Sequence, residues 1–210
     1  MAQGATVSAA KVGTPERLIR AAQAELIAGG GLLEMQAVAR RAKVSVGLAY
    51  HHFGSKAGLI AAVVEAFYDR LEEVAFKPSN LTSSTWAGRE KERIEAYISF
   101  HYDHPFAPLV VGPLSRAAEV LDVEQAFTRR QLAAGAPNLR DGQRAGVIPT
   151  DLDPRLTIAL MIGGIRQALI GALTKARRPD RKALAEKIWV FIAGALRLPP
   201  EAAGGPAPTV

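Results

Sequence analysis

Two short apolar-patterned runs separated by a three-residue break constrain this chain more than any other feature. Residues 35–42 place Met35, Val38, Ala39 and Ala42 on one face at helical spacing and turn Arg40 and Arg41 away. Lys43-Val44-Ser45 interrupts that pattern, and Ser45 is suited to cap a second helix over 46–53, where its hydroxyl satisfies an orphan amide of the next turn. Val44 is the apolar residue of the turn. Two short helices joined this tightly form a helix-turn-helix, whose second helix is built to project into a DNA major groove.

The ordered string Val38-Ala39-Arg40-Arg41-Ala42-Lys43-Val44-Ser45-Val46-Gly47-Leu48-Ala49-Tyr50-His51-His52-Phe53-Gly54-Ser55-Lys56 resembles the DNA-binding segment of the tetracycline-repressor (TetR) family of bacterial transcription regulators. The resemblance covers roughly the first third of the chain; beyond it the likeness is one of architecture. It implies an all-α protein with an N-terminal three-helix helix-turn-helix DNA-binding domain and a C-terminal helical bundle for ligand binding and dimerisation. The expected divisions are an arm over 1–13, a DNA-binding domain over 14–76, a body over 84–198 and a disordered tail over 199–210. The resemblance also implies that the exposed members of Val46, Leu48, Ala49 and His51 face base edges, while Tyr50, His52 and Lys56 hold phosphates. Ser45 belongs to the same surface as the cap of the reading helix. Tyr and His donate to phosphate oxygens, and Lys56 adds charge at a helix N-terminus, itself an anion site. Apolar Val46, Leu48 and Ala49 suit thymine methyls but do not read guanine, so Gln36 or the N-terminal arm is expected to share in specificity. Glu34 stands where the family often has Thr, which removes a phosphate contact there. Phe53 reads as core.

Charge agrees with a DNA partner. Between Lys11 and Lys56, seven bases (Lys11, Arg17, Arg20, Arg40, Arg41, Lys43, Lys56) outnumber three acids (Glu16, Glu25, Glu34), which accounts for most of the formal net charge of +6. A basic face supplies the sequence-independent, salt-dependent part of DNA affinity. The 210 residues contain no cysteine, which excludes disulfides and thiolate metal sites. The first residues lack a signal-peptide layout, so a cytoplasmic location is expected.

Around the reading pair, Thr14-Pro15-Glu16 looks like a helix start with Thr14 as cap, and Leu18, Ile19, Ala22 and Leu26 form its packing stripe up to Gly29-Gly30-Gly31. After Gly54, Ser55 is expected to cap a helix over 56–75 with Leu59, Ile60, Val63, Phe67, Leu71 and Val74 on its apolar side. Gly58 in its first turn is expected to cost up to about 1 kcal/mol relative to Ala. The polar stretch 77–84 is the expected domain boundary. A helix over 86–104 then carries Ile94, Ile98 and His101 on one face, followed by a broken apolar stretch over 106–120. Asp122-Val123-Glu124-Gln125 looks like a capping box for a helix that kinks or pauses at Gly135-Ala136-Pro137 before 140–146.

Asp153-Pro154 opens a helix to about residue 175 that is apolar nearly all round and is therefore expected to be buried on most sides. Arg166 at its centre argues against a membrane span, where it would cost roughly 2.5 to 3.5 kcal/mol. Gly164, Ala168 and Ala172 form a smooth ridge, and 181–196 follows with Leu184, Ile188, Phe191, Ile192 and Ala195 as its stripe. In the family the last two helices pair with their copies in a second subunit, which implies a homodimer here. From pattern alone an internal helical hairpin is a serious competitor.

Candidate pocket residues in the body are Tyr97, His101, His104, Phe106, Arg116, Phe127, Met161 and Arg166, polar groups and aromatics expected to line a mostly apolar cavity for an unidentified small-molecule effector. His101 and His104 share a helix face, but two His without a carboxylate at helical spacing do not make a metal site, so no metal and no cofactor is expected. A charge as isolated as Arg166 must find an anion, an acidic partner or water. The chain has no Gly-rich phosphate loop, nucleophile elbow or recognisable carboxylate pair, so an enzyme is the weaker alternative. The expectation is a repressor on a pseudo-palindromic operator; the other reading keeps DNA binding and makes the body a protein-docking platform.

Overall fold

The computed structural model describes residues 13–199, so the expected arm before Gly13 and the tail after Pro199 lie outside the described residues. Every regular element among them is helical. Contacts group the chain into two compact units, Met1–Val63 and Val64–Val210.

In the first unit, α1 (Thr14–Ala28), α2 (Met35–Ala42), α3 (Val46–Phe53) and the start of α4 (Lys56–Leu71) follow in order. Gly13, not Thr14, occupies the cap of α1, with extended backbone and its carbonyl accepting from Arg17 N–H at 3.1 Å. Thr14 is drawn into the helix because Pro15 lacks only an amide that the first turn leaves unpaired anyway. Gly29 ends the helix as expected, and Gly30 and Gly31 take positive φ of 61° and 104°. Leu18, Ala22, Leu26, Met35, Val38, Ala39, Ala42 and Ala49 are buried. Arg17 Nη2 donates to the Ala42 carbonyl at 2.5 Å and Arg41 Nε to Glu25 Oε1 at 2.7 Å, so two of the seven bases fasten α1 to α2.

The second unit begins inside α4. The division therefore falls at Val63/Val64 and not in the polar stretch after residue 77, because Phe67, Tyr68 and Leu71 are core residues of the body. Phe67 lies 5.2 Å from the Phe100 ring, 5.6 Å from His101, 5.0 Å from His104 and 6.0 Å from Phe106, largely edge to face. Tyr68 stacks on Phe127 at 4.3 Å. Past Leu71 the helix widens into a π segment, Glu72–Phe76. That wider turn slips the register, so Ala75 is buried in place of Val74. Asn80 then donates from Nδ2 to the Glu73 carbonyl at 2.6 Å and closes the end.

α5 (Trp86–Asp103) is capped by Thr85, whose hydroxyl accepts from Gly88 N–H at 3.0 Å. A short α6 (Ala107–Val111) and a 3-10 turn (Pro113–Arg116) replace the broken apolar stretch. α7 runs from Ala118 to Arg144 without interruption. It starts before Asp122, because Val120 is buried and Glu124 turns its carboxylate to Arg166. It also passes through Pro137 without ending there. Gly135 lets α8 (Pro154–Leu173) approach so closely that a Cβ would sit 2.3 Å from Ile158 Cγ1, and this packing carries the helix across the proline.

Asp153 caps α8, its carboxylate accepting from Leu156 N–H at 2.7 Å. The expectation that α8 is buried on most sides fails for the single chain: Leu160 is 67% exposed, and Leu156 is also open. Its neighbour α9 (Arg181–Ala195) buries Ala185, Ile188, Trp189, Ile192 and Ala193, leaving Phe191 74% exposed and Ala195 open. The buried face is rotated from the expected stripe because Trp189, the largest side chain, takes the core position. By length and composition alone α8 is apolar enough to cross a bilayer; here it packs on α7, and its central Arg166 is paired.

Candidate DNA-binding surface and body cavity

The turn between α2 and α3 is closed by backbone bonds. Lys43 adopts a left-handed conformation at φ 55°, Val44 N–H donates to the Ala39 carbonyl at 3.0 Å, and Leu48 N–H donates to Ser45 Oγ at 3.1 Å. With Ser45 fixed as cap, α3 presents Leu48, Tyr50, His51 and His52, and Val46 is half-buried. Gln36, Ser45 and Lys56 are exposed on the same unit. Ala49 is fully buried, which removes it from the base-facing set: an α3 that packs on α2 must turn one residue per turn inward. Arg20, Arg40, Lys43 and Lys56 make no ion pair among the described residues and form the cationic surface of this unit, since Arg17 and Arg41 are committed to the fold.

Gly58 has a role beyond propensity. A Cβ there would stand 2.2 Å from the Phe53 carbonyl oxygen, a backbone atom that cannot swing aside, just where Ser55 Oγ accepts from Gly58 N–H at 2.9 Å. The helix-propensity argument for Ala at this position is thus overridden. Gly58→Ala is expected to destabilise by about 1–3 kcal/mol, the usual cost of overpacking, where propensity alone predicts a gain. Urea unfolding of the two proteins measures this, and a stabilised variant would contradict it.

The body contains a partly open cavity of about 560 Å³. Of the expected pocket residues, Tyr97, His101, Phe127, Met161 and Arg166 line it. His104, Phe106 and Arg116 do not: Phe106 is buried against Phe67, His104 Nδ1 accepts from Phe106 N–H at 3.2 Å, and Arg116 is exposed on the 3-10 turn. His101 is held by its Nδ1 at 2.8 Å from the Tyr97 carbonyl oxygen, and burial depresses its pKa to about 4, against the opposing pull of that backbone bond. A neutral imidazole therefore donates from Nδ1. Both histidines pack on Phe67, so the pair belongs to an aromatic cluster.

Sequence reasoning missed Tyr68, Glu72, Glu90, Arg93, Glu124 and Arg130, which supply much of the polar lining. Tyr68 Oη donates to Glu124 Oε1 at 3.2 Å, and Arg166 Nη2 donates to Glu124 Oε2 at 2.9 Å. Burial, followed by the Glu124 charge, pushes the Tyr68 phenol far above its ordinary pKa, and burial pushes Tyr97 up to about 12, so both keep their protons. Glu90, buried, pairs with Arg93 and accepts from Asn138 Nδ2 at 2.9 Å. Helical spacing held that signal: Glu90 lies four residues before Ile94 on the stripe that ends at His101.

A capped helix pair with an exposed, aromatic reading helix on a cationic unit, followed by a helical body with a cavity, defines a helix-turn-helix DNA-binding regulator. Comparison with known proteins specifies it further. The family model of the bacterial regulatory proteins, tetR family, matches residues 18–63. The HTH-type transcriptional regulator BetI of Rhizobium meliloti (strain 1021) is 34% identical over 148 residues, covering 66% of this chain and 69% of that protein. Among solved structures, the fatty acid degradation regulator FadR from Bacillus halodurans aligns with a TM-score of 0.73 at 19% identity, over 91% of this chain and 100% of that one. FadR from Bacillus subtilis, solved in complex with stearoyl-CoA, aligns at 0.69 and 19% identity, over 84% and 96%. The chain belongs to the tetR family of bacterial regulatory proteins and is a DNA-binding transcriptional regulator.

Proposed function

We propose that the protein is a homodimeric repressor that binds a pseudo-palindromic operator and is released by a small molecule in the body cavity. The observation that carries this reading is the continuity of α4: Lys56 near its start lies on the proposed reading surface, and Tyr68, on the same helix, lines the cavity. An occupant that touches Tyr68 acts on an element shared with the reader. Such coupling requires only that the occupant bind the DNA-competent and DNA-incompetent states unequally. In the operator complex the two α3 helices are expected about 34 to 36 Å apart, one turn of DNA. Tyr50, His52 and Lys56 take phosphates, and Gln36, Ser45, Val46, Leu48 and His51 face the groove.

The open faces of α8 and α9 support a second copy of this chain as partner. Leu156, Leu160, Val190 and Phe191 are exposed, and Gly163, Gly164, Gly171 and Gly194 face open space. A mid-helix glycine costs about 0.5–1 kcal/mol relative to Ala and gains nothing within one chain at these positions. Close approach of another helix explains both the glycines and the apolar side chains between them. The cavity favours an effector over a body that serves only to dock a protein.

Selection of operator sequences from random DNA, followed by retention measurements, tests the reading. Lys56→Ala is expected to weaken binding uniformly across sequences and to reduce the salt slope by about 1, and Tyr50→Ala to cost about tenfold. Unchanged retention in both variants would remove α3 as the reader.

A further inference from the structure

The cavity wall is unequal in what it offers an occupant. Three ion pairs line it, Arg166 with Glu124, Arg130 with Glu72 and Arg93 with Glu90, and in each the carboxylate is the deeper member. The Arg166 side chain is 43% exposed against 14% for Glu124, and Arg130 45% against 30% for Glu72. The carboxylates are also engaged a second time: Glu124 by the Tyr68 hydroxyl, Glu72 by Gln131 Nε2 at 3.2 Å and Glu90 by Asn138. Each guanidinium carries five N–H donors and spends few of them on these contacts. The three carboxylates of the wall are thus each engaged twice while its guanidiniums keep donors to spare, and Lys77 adds a further cation to the lining.

The three arginines are not equivalent. Arg130 is shared between Glu72 and Asp69, and Arg93 is the least exposed of the three. Arg166 has a single carboxylate and follows Met161, Ile162 and Ile165 on α8, which belong to the apolar wall. Charge recognition and apolar surface therefore adjoin on one helix.

Building on the effector reading above, we infer that the cavity takes an anionic amphiphile, its head group on the Arg166 guanidinium and its apolar chain along Phe127, Ile158, Met161, Ile162 and Ile165. A carboxylate or phosphate matches the guanidinium fork, and the neutral Tyr97 phenol is a further donor in the same lining. The incoming anion competes with Glu124 for Arg166. A Glu124 that loses its cation depends on the Tyr68 hydroxyl, so the head group is sensed at α4 through a chain of three named side chains. An uncharged amphiphile has no charge with which to displace Glu124 from Arg166, and a cationic one is repelled by the guanidinium, the more exposed member of the pair.

Titration calorimetry on the full chain with dodecanoate, dodecanoyl coenzyme A, dodecanol and dodecyltrimethylammonium, all below micelle-forming concentrations, tests this. At least one anionic member is expected to bind about tenfold or more tightly than the alcohol, the value of a charge-assisted hydrogen bond, and the cation more weakly still. Preference for dodecanoate assigns a free carboxylate, and preference for the thioester a nucleotide-linked anion. The Arg166→Gln variant, and the double variant Arg166→Gln with Glu124→Gln, which leaves no buried charge unpaired, are expected to lose the preference. Equal affinities, a tighter cation, or a double variant that still prefers the anion would overturn the inference. Operator retention in the same samples separates the two proposals. Anion binding with retention unchanged keeps the ligand class and removes the effector reading. Intact operator binding with no anion bound removes the ligand class alone.

Discussion

Replacing Leu160 and Phe191 together by glutamate is expected to yield a monomer and to reduce operator retention by about two orders of magnitude or more. Both side chains stand open on the single chain, Leu160 at 67% and Phe191 at 74%, so the substitution removes nothing from the body's own core. In a two-fold dimer each change occurs twice, and four carboxylates replace apolar side chains at the proposed interface. Burying an uncompensated charge costs several kcal/mol, against the roughly 1.5–3 kcal/mol that each buried Leu or Phe had contributed. A monomer holds a single half-site and loses the effective concentration, in the millimolar range, that makes the second contact nearly intramolecular. Light scattering coupled to size exclusion reads the mass, and circular dichroism confirms the helices. A variant that remains dimeric with full operator binding would place the interface elsewhere.

Phe67→Ala is expected to lower stability by about 3–5 kcal/mol, the usual cost of emptying a buried aromatic site. Phe67 is almost completely buried, and its neighbours Phe100, His101, His104 and Phe106 come from α5 and the segment after it, so they cannot all collapse into the vacancy. The functional effect follows from position: the residue is fixed on the helix that also carries Tyr68. If the proposed effector control operates, operator binding in the surviving folded fraction is expected to lose most of its response, because α4 no longer has a defined seat in the body. Urea unfolding that changes by less than about 1 kcal/mol would show that the cluster is not core.

The helix-turn-helix was legible because its signals are local. Ser45, the break before it and the apolar spacing of 35–42 act within a few residues, and Glu25 and Arg41 add only a brace. Gly58 was misread for the complementary reason: its value lies in the Phe53 carbonyl, a neighbour in the preceding turn that propensity does not consider. Pro137 does not end α7, because the close packing of Gly135 on Ile158 carries the helix across it. In the body, the isolated charge of Arg166 calls for an acid, but which acid depends on how α7 lies against α8, and the local pattern around Glu124 suggests only a helix cap. The cavity was hardest to read, since its wall draws on segments more than fifty residues apart in sequence.

The open glycines of α8 and α9 set two kinds of selection against each other. Alanine at Gly163, Gly164 or Gly171 meets no atom within 4 Å in the single chain and removes a helix-weakening residue, so a screen that rewards heat resistance of the isolated subunit would favour it. A genetic selection that demands DNA binding by the assembled protein would discard the same substitutions if they hold the two helices of a pair apart. Sequences optimised for the subunit and for its assembly would then diverge first at positions that, judged from one chain alone, look unconstrained.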